Sequence, residues 1–159
     1  MEEIPAQDID HVNVSSTKIR EALLNGDVET AKSYLGHAYS LQGTVVEGNK
    51  LGRTIGYPTA NVEIGDKHKL IPADGVYAVH VQLGTETFGG MLNIGYRPTV
   101  DGKKRTTEVN IFGFDRDIYG QQLKIEFEAR LRDEQKFNGL DALKEQLAKD
   151  KLDALAALK

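Results

Sequence analysis

Three stretches of the chain carry side chains whose types and spacing could do chemistry. The first is the Gly-rich run Gly48-Asn49-Lys50-Leu51-Gly52-Arg53-Thr54-Ile55-Gly56. Glycines let backbone N–H groups approach an anion closely, and Lys50 and Arg53 add positive charge, so the run suits a phosphate cradle. It is not a Walker loop: Gly48 to Gly52 is one residue short, Arg53 stands where the lysine would be, and the following residues read as a strand rather than a helix. Directly behind it comes Pro58-Thr59-Ala60-Asn61. Thr59 and Asn61 lie two apart, so in extended chain both point to one face and could offer a hydroxyl and an amide oxygen to a hard cation such as Mg2+. Neutral oxygens hold magnesium weakly, so nucleotide phosphates would have to supply most of the charge. The third candidate is Glu108, on the face opposite Val109 and Ile111, where a carboxylate could accept the proton of an attacking hydroxyl.

Each candidate also has a plainer meaning: a hairpin loop, the start of a strand, and a solvated strand residue. Residue types alone leave both meanings open. The histidines His11, His37, His68 and His80 show no close metal-ligand spacing, and no Gly-x-Ser-x-Gly elbow introduces a hydrolytic nucleophile.

The elements that must position these residues are legible from periodicity. Residues 15 to 36 read as two short helices: Ser15-Ser16 offers hydroxyl caps, Asn25-Gly26 breaks the run, Asp27 caps Val28 to Leu35, and Gly36 ends it. A domain boundary is expected near residues 37 to 40. From Leu41 the period becomes strand-like. Tyr77, Val79, Val81 and Leu83 oppose Ala78, His80 and Gln82; Leu123, Ile125, Phe127, Ala129 and Leu131 oppose Lys124, Glu126, Glu128, Arg130 and Arg132. Further strands are expected at 59 to 64, 87 to 95 and 106 to 112, with turns at Asp74-Gly75, Asp101-Gly102 and Tyr119-Gly120. Six strands without intervening helices predict a mainly β fold, a small antiparallel barrel. From Gly139 a helix follows, with one stripe of Leu140, Leu143 and Leu147 and a second of Leu152, Leu155 and Leu158, expected to pack on the barrel.

Composition excludes more than it selects. The 159 residues are 40% hydrophobic and 28% charged, and no apolar run approaches the length of a membrane helix. Glu2, Glu3 and Asp8 at the start are the opposite of a secretory leader, and the absence of cysteine removes disulfides and thiolate chemistry. A cytoplasmic location without membrane partners is expected. A net charge of -4 and 7% aromatic residues do not favour a nucleic-acid partner, although Lys103, Lys104 and Arg105 form a local basic patch.

The string Gly52-Arg53-Thr54-Ile55-Gly56-Tyr57-Pro58-Thr59-Ala60-Asn61 resembles the signature of the riboflavin kinase family. The resemblance continues in order through Asp74-Gly75-Val76-Tyr77, Asn93-Ile94-Gly95, Arg97-Pro98-Thr99, Glu108, Asp117-Ile118-Tyr119-Gly120, Leu131-Arg132 and Lys136-Phe137, covering about residues 40 to 150. It implies a six-stranded Greek-key barrel with a C-terminal helix and a short N-terminal helical remnant. It also implies transfer of the ATP γ-phosphate to the riboflavin 5'-hydroxyl, with Mg2+ held by Thr59 and Asn61 and Glu108 as the base. By the same resemblance, Gly48, Lys50, Gly52, Arg53 and Gly56 belong to a loop covering ATP. Tyr119 lies near the adenine, and the flavin ring lodges between the barrel and the segment from Arg132 through Phe137 to Leu140.

Upstream, Val14-Ser15-Ser16-Thr17-Lys18-Ile19-Arg20 resembles the motif that closes the adenylyltransferase domain of bifunctional FAD synthetases, where it meets the triphosphate of ATP. The earlier part of that domain, with its His-x-x-His type signature, is not in the sequence. The implied organisation is therefore residues 1–38 as a remnant of an adenylyltransferase domain, its partner in the full-length protein, and 39–159 as the kinase, with FAD synthesis absent. Two other classes compete: a flavin- or nucleotide-binding barrel without turnover, which would tolerate loss of Glu108, and an RNA-binding barrel.

Overall fold

Strands whose apolar residues recur every second position can bury one face only by meeting the same face of other strands, and a closed barrel does this without leaving an edge. The computed structural model describes residues 9–46, 59–65, 70–100, 102–114, 118–135 and 137–158. Two helices, α1 (Ile9–Leu24) and α2 (Val28–Leu35), precede six strands: β1 (Tyr39–Val46), β2 (Ala60–Ile64), β3 (Gly75–Leu83), β4 (Glu86–Thr99), β5 (Gly102–Ile111) and β6 (Gln122–Arg132). A last helix, α3 (Leu140–Ala157), follows. The strands close in the order β1-β2-β5-β4-β3-β6, every pair antiparallel. Because β6 returns to lie beside β3 after the β3-β4-β5 meander, the connection is a Greek key. The expected mainly β barrel with helical flanks is the fold observed.

The interior is filled. Leu41, Tyr77, Val79, Val81, Leu92, Ile94, Val109, Leu123, Ile125 and Phe127 are all buried in one cluster, and Tyr77 meets Phe127 edge-on with ring centroids 5.2 Å apart. The helices contribute Leu23, Val28 and Ala31 to that same cluster, so packing runs across residues 37 to 40. The elbow between α1 and α2 sits against the barrel. Gly26 there has φ +77°, and a Cβ on it would lie 2.5 Å from the Arg130 guanidinium, so both conformation and space require glycine.

Several boundaries differ from the sequence reading. Helix α1 begins at Ile9, not at the Ser15-Ser16 caps. A helix-interior serine costs only about 0.5 kcal/mol relative to alanine, too little to force a start. Helix α2 is as expected: Asp27 accepts from the Thr30 amide at 3.1 Å, and Gly36 closes it at φ 80° with its N–H on the Lys32 carbonyl. Strands β4 and β5 run on into a long hairpin whose last pair is Thr99 with Gly102. In β6 the alternation breaks. Its pairing with β3 slips between Val76 and Tyr77 and again between Ala78 and Val79, leaving Leu131 and Glu128 without a partner in β3. Leu123, Ile125 and Phe127 point inward, but Ala129 and Leu131 join an outer cluster instead.

That outer cluster is where α3 docks. Ala78, Met91 and Ala129 meet Ala154, with Leu147 and Leu158 packed alongside. The helix is continuous, and its covered stripe is Leu143, Leu147, Asp150, Ala154 and Leu158. Leu140, Leu152 and Leu155 of the expected stripes are exposed instead, and on one continuous helix 152 and 155 lie off the covered line. Asp150 is 1% exposed and accepts from Arg132 through Nε at 2.9 Å and Nη2 at 2.8 Å, with Gln146 bonding the same carboxylate. On another side, Glu128 takes Lys32 of α2 at 2.8 Å and lies 2.8 Å from the His80 ring. Burial pushes its carboxyl up, but the hydrogen bonds from Lys32 and His80 outweigh it and hold Glu128 below the ordinary carboxylate range.

The Arg132–Asp150 pair generates a test. Asp150→Ala leaves a half-buried guanidinium without its carboxylate and should lower unfolding stability by about 3 kcal/mol. Urea denaturation measures it. A midpoint equal to the parent's would mean that the pair does not hold α3 to the barrel.

Candidate active site

A barrel packed solid with side chains has no room for a substrate inside, so chemistry must sit on its outer face or rim. The register places a single row of outward residues around the wall. Val46 of β1 pairs with Asn61 of β2, Asn61 with Glu108 of β5, Glu108 with Asn93 of β4, Asn93 with Val76 of β3, and Val76 with Arg132 of β6. Directly opposed residues on one face bring their Cβ atoms to about 5 Å of each other, so Asn61 and Asn93 flank Glu108 on its two sides.

Glu108 is 8% exposed, so it is not the solvated strand residue that its sequence context allowed. A carboxylate is costly to bury and is uncommon in such a place without a task. The Oδ1 atoms of Asn61 and of Asn93 are both buried without a hydrogen-bond partner among the described residues. Leaving a buried acceptor unmatched costs on the order of 1–3 kcal/mol, a cost that an incoming donor or cation would relieve. Thr59 is exposed and lies just ahead of β2, two residues from Asn61.

Gly48, Lys50, Gly52, Arg53 and Gly56, expected from the sequence to cover phosphates, lie outside the described residues. The strand ends on either side of that stretch are placed, however: Val46 and Asn61 are partners at one end of the row. The Tyr119 turn is tied to the same corner. The Gly120 amide donates to the Val45 carbonyl and the Val45 amide donates to the Gln121 carbonyl, each at 2.9 Å. Gly120 has φ +83°, and Tyr119 is left 63% exposed.

The far end of the row belongs to Arg132. Its guanidinium, fixed by Asp150, lies 5.6 Å from the centroid of the Phe137 ring, which ties the segment after β6 to the barrel wall. Glu134 in that segment lies over Gly95. A Cβ at position 95 would come within 2.3 Å of the Glu134 carboxylate, so the missing side chain makes room for it. The structure thus brings Asn61 and Glu108 together and sets Arg132 and Phe137 at the opposite end of the same row.

Sequence reasoning gave no role to Asn93, Glu134 or Asp150. Asn93 stood in a quoted motif, but only the β4–β5 register sets it beside Glu108. Asp150 lay in what read as a break between leucine stripes.

A family model described as riboflavin kinase (flavokinase) matches residues 35–158. The bifunctional riboflavin kinase/FMN adenylyltransferase of Bacillus subtilis (strain 168) is 47% identical over 145 residues, which are 89% of this chain and 46% of that protein. The chain therefore spans about half the length of the curated relatives it matches. A solved riboflavin kinase from Trypanosoma brucei superposes with a TM-score of 0.52 at 26% identity, covering 75% of this chain and 78% of that one. A Streptococcus pneumoniae chain described as a macrolide-efflux protein superposes with a TM-score of 0.81 at 44% identity, over 86% of this chain and 44% of that one. That description stays with that protein; among the described residues here no helix is long and apolar enough to cross a membrane. A family match over most of the chain, carried on a closed six-stranded barrel, establishes that this chain belongs to the riboflavin kinase family.

Proposed function

We propose that this chain transfers the γ-phosphate of ATP to the 5'-hydroxyl of riboflavin, giving FMN and ADP. The observation that carries the reading is the pairing of Asn61 with a buried Glu108 on the outer wall of a barrel of this family. In the reaction the 5'-oxygen forms a bond to the γ-phosphorus, the bond from that phosphorus to the ADP oxygen breaks, and the hydroxyl proton passes to the Glu108 carboxylate. Phosphoryl transfer asks mainly for positioning and charge neutralisation, so Glu108 orients the hydroxyl as much as it deprotonates it.

Mg2+ fits the residues present. Asn61 Oδ1 is a buried acceptor lacking a donor, and Thr59 adds a hydroxyl close by in the chain; oxygen donors are what this cation selects. When bound with ATP it would neutralise phosphate charge. Gly48, Lys50, Gly52, Arg53 and Gly56 are assigned to the loop over the phosphates and Tyr119 to the adenine side. Arg132 and Phe137 are assigned to the flavin side. Residues 1–38 are read as the end of an adenylyltransferase domain and 39–159 as the kinase. The adenylyltransferase resemblance quoted for these residues is the run Val14 through Arg20. Its setting is read as the cytoplasm, where ATP is supplied.

Incubation with riboflavin, ATP and Mg2+, followed by chromatography, should yield FMN, and no product when magnesium is left out. Neither flavin nucleotide would leave a binding barrel without turnover as the reading. Glu108→Gln keeps the shape but cannot take a proton; kcat should fall by about 10²- to 10⁴-fold with ATP binding retained. Unchanged turnover would remove Glu108 from the mechanism. Asn61→Ala should raise the magnesium and ATP concentrations needed for half-maximal rate, and an unaltered metal dependence would count against its role.

A further inference from the structure

We infer that Asn93 is the residue that holds the acceptor substrate, its side-chain oxygen taking a hydrogen bond from a hydroxyl of the polyol chain and turning that chain toward Glu108. This rests on the kinase reading of the same row and extends it from the phosphate side to the acceptor side.

Asn93 lies in β4 directly opposite Glu108, on the side away from Asn61. Its Oδ1 is buried and has no hydrogen-bond partner among the described residues. Its other neighbour in the row is Val76, 4% exposed, which offers an apolar wall and nothing to donate. Two positions along β4, Gly95 is covered by the Glu134 carboxylate, another acceptor. None of these neighbours offers that oxygen a proton, whereas a hydroxyl or a cation brought to the row would satisfy it.

Two strand spacings, about 10 Å, separate the Asn61 and Asn93 backbones, and the Glu108 strand lies between them. With Glu108 between them, the two amides serve different groups. The Asn61 end adjoins Val46 and the Thr59 segment, and so both ends of the Gly-rich stretch. The Asn93 end leads through Val76 to Arg132, whose guanidinium faces the Phe137 ring. The row therefore reads in chemical order: phosphate donor at Asn61, proton acceptor at Glu108, hydroxyl-bearing acceptor at Asn93. In-line displacement needs that order, with the attacking and leaving oxygens on opposite sides of the phosphorus.

The test uses two flavins, riboflavin and a flavin lacking the ribityl chain, titrated by fluorescence quenching against the whole chain. The parent should bind riboflavin the more tightly. Asn93→Leu, close in size but without an acceptor, should cut that preference at least tenfold and raise the riboflavin KM, while the ATP KM stays put. Because it removes an unmatched buried oxygen, the same variant should keep or raise the urea midpoint. Asn93→Ala should show the same loss of preference. A folded Asn93 variant that retains the full preference would overturn the inference. Collapse of the urea midpoint in both variants would also overturn it, by making Asn93 a structural residue. Failure of the parent to form FMN would instead sink the kinase reading and leave the flavin titration to be read on its own.

Discussion

Filling the inside of the barrel is the constraint on which everything else depends. Six short strands enclose a space just wide enough for Leu41, Tyr77, Leu92, Ile125, Phe127 and their neighbours, so no substrate can enter it. Function is thereby pushed to the outer wall, where the pleat alternates every inward apolar residue with an outward one that is free to be polar. The same hydrogen-bond register that aligns the core aligns the outward row from Val46 to Arg132. A one-residue slip of β5 would turn Glu108 inward and Val109 outward, so the core and the site share one condition.

Much of this was legible from the chain. The strict alternation in β3 named its inward face correctly, Asp27 and Gly36 marked the ends of α2, and the Pro-Thr-Ala-Asn string with Glu108 pointed to two strands that prove to be neighbours. What escaped was information that lives between segments. In β6 the period-two pattern suggested one face for Leu123 through Leu131, but the two slips against β3 send Ala129 and Leu131 to the outside. A bulge leaves no mark in a single strand's hydrophobicity.

The charged residues show the same limit. Asp150 read as a break between leucine stripes and Arg132 as an outward residue at the end of β6, yet in the fold they form one largely buried ion pair. Asn93 and Glu108 look unremarkable apart and become a site through the β4–β5 register alone. Sequence periodicity reports which face of an element is wet or dry. It does not report which polar residue on that face has been brought against another.

The mode of attachment of α3 sets the cooperativity of the molecule. The barrel is held by six ladders that close on themselves, and no strand can leave without opening two of them. Helix α3 rests on Ala78, Met91 and Ala129 through Ala154, Leu147 and Leu158, on the Arg132–Asp150 pair and on Lys151 over the Phe112 ring. Contacts of that size give a shallow local free energy of opening beside a deep global one. Opening of α3 alone would release the Arg132 side chain from Asp150 and leave its backbone in the β3–β6 ladder. The backbone of the whole row, from Asn61 to Arg132, opens only with the strands that carry it.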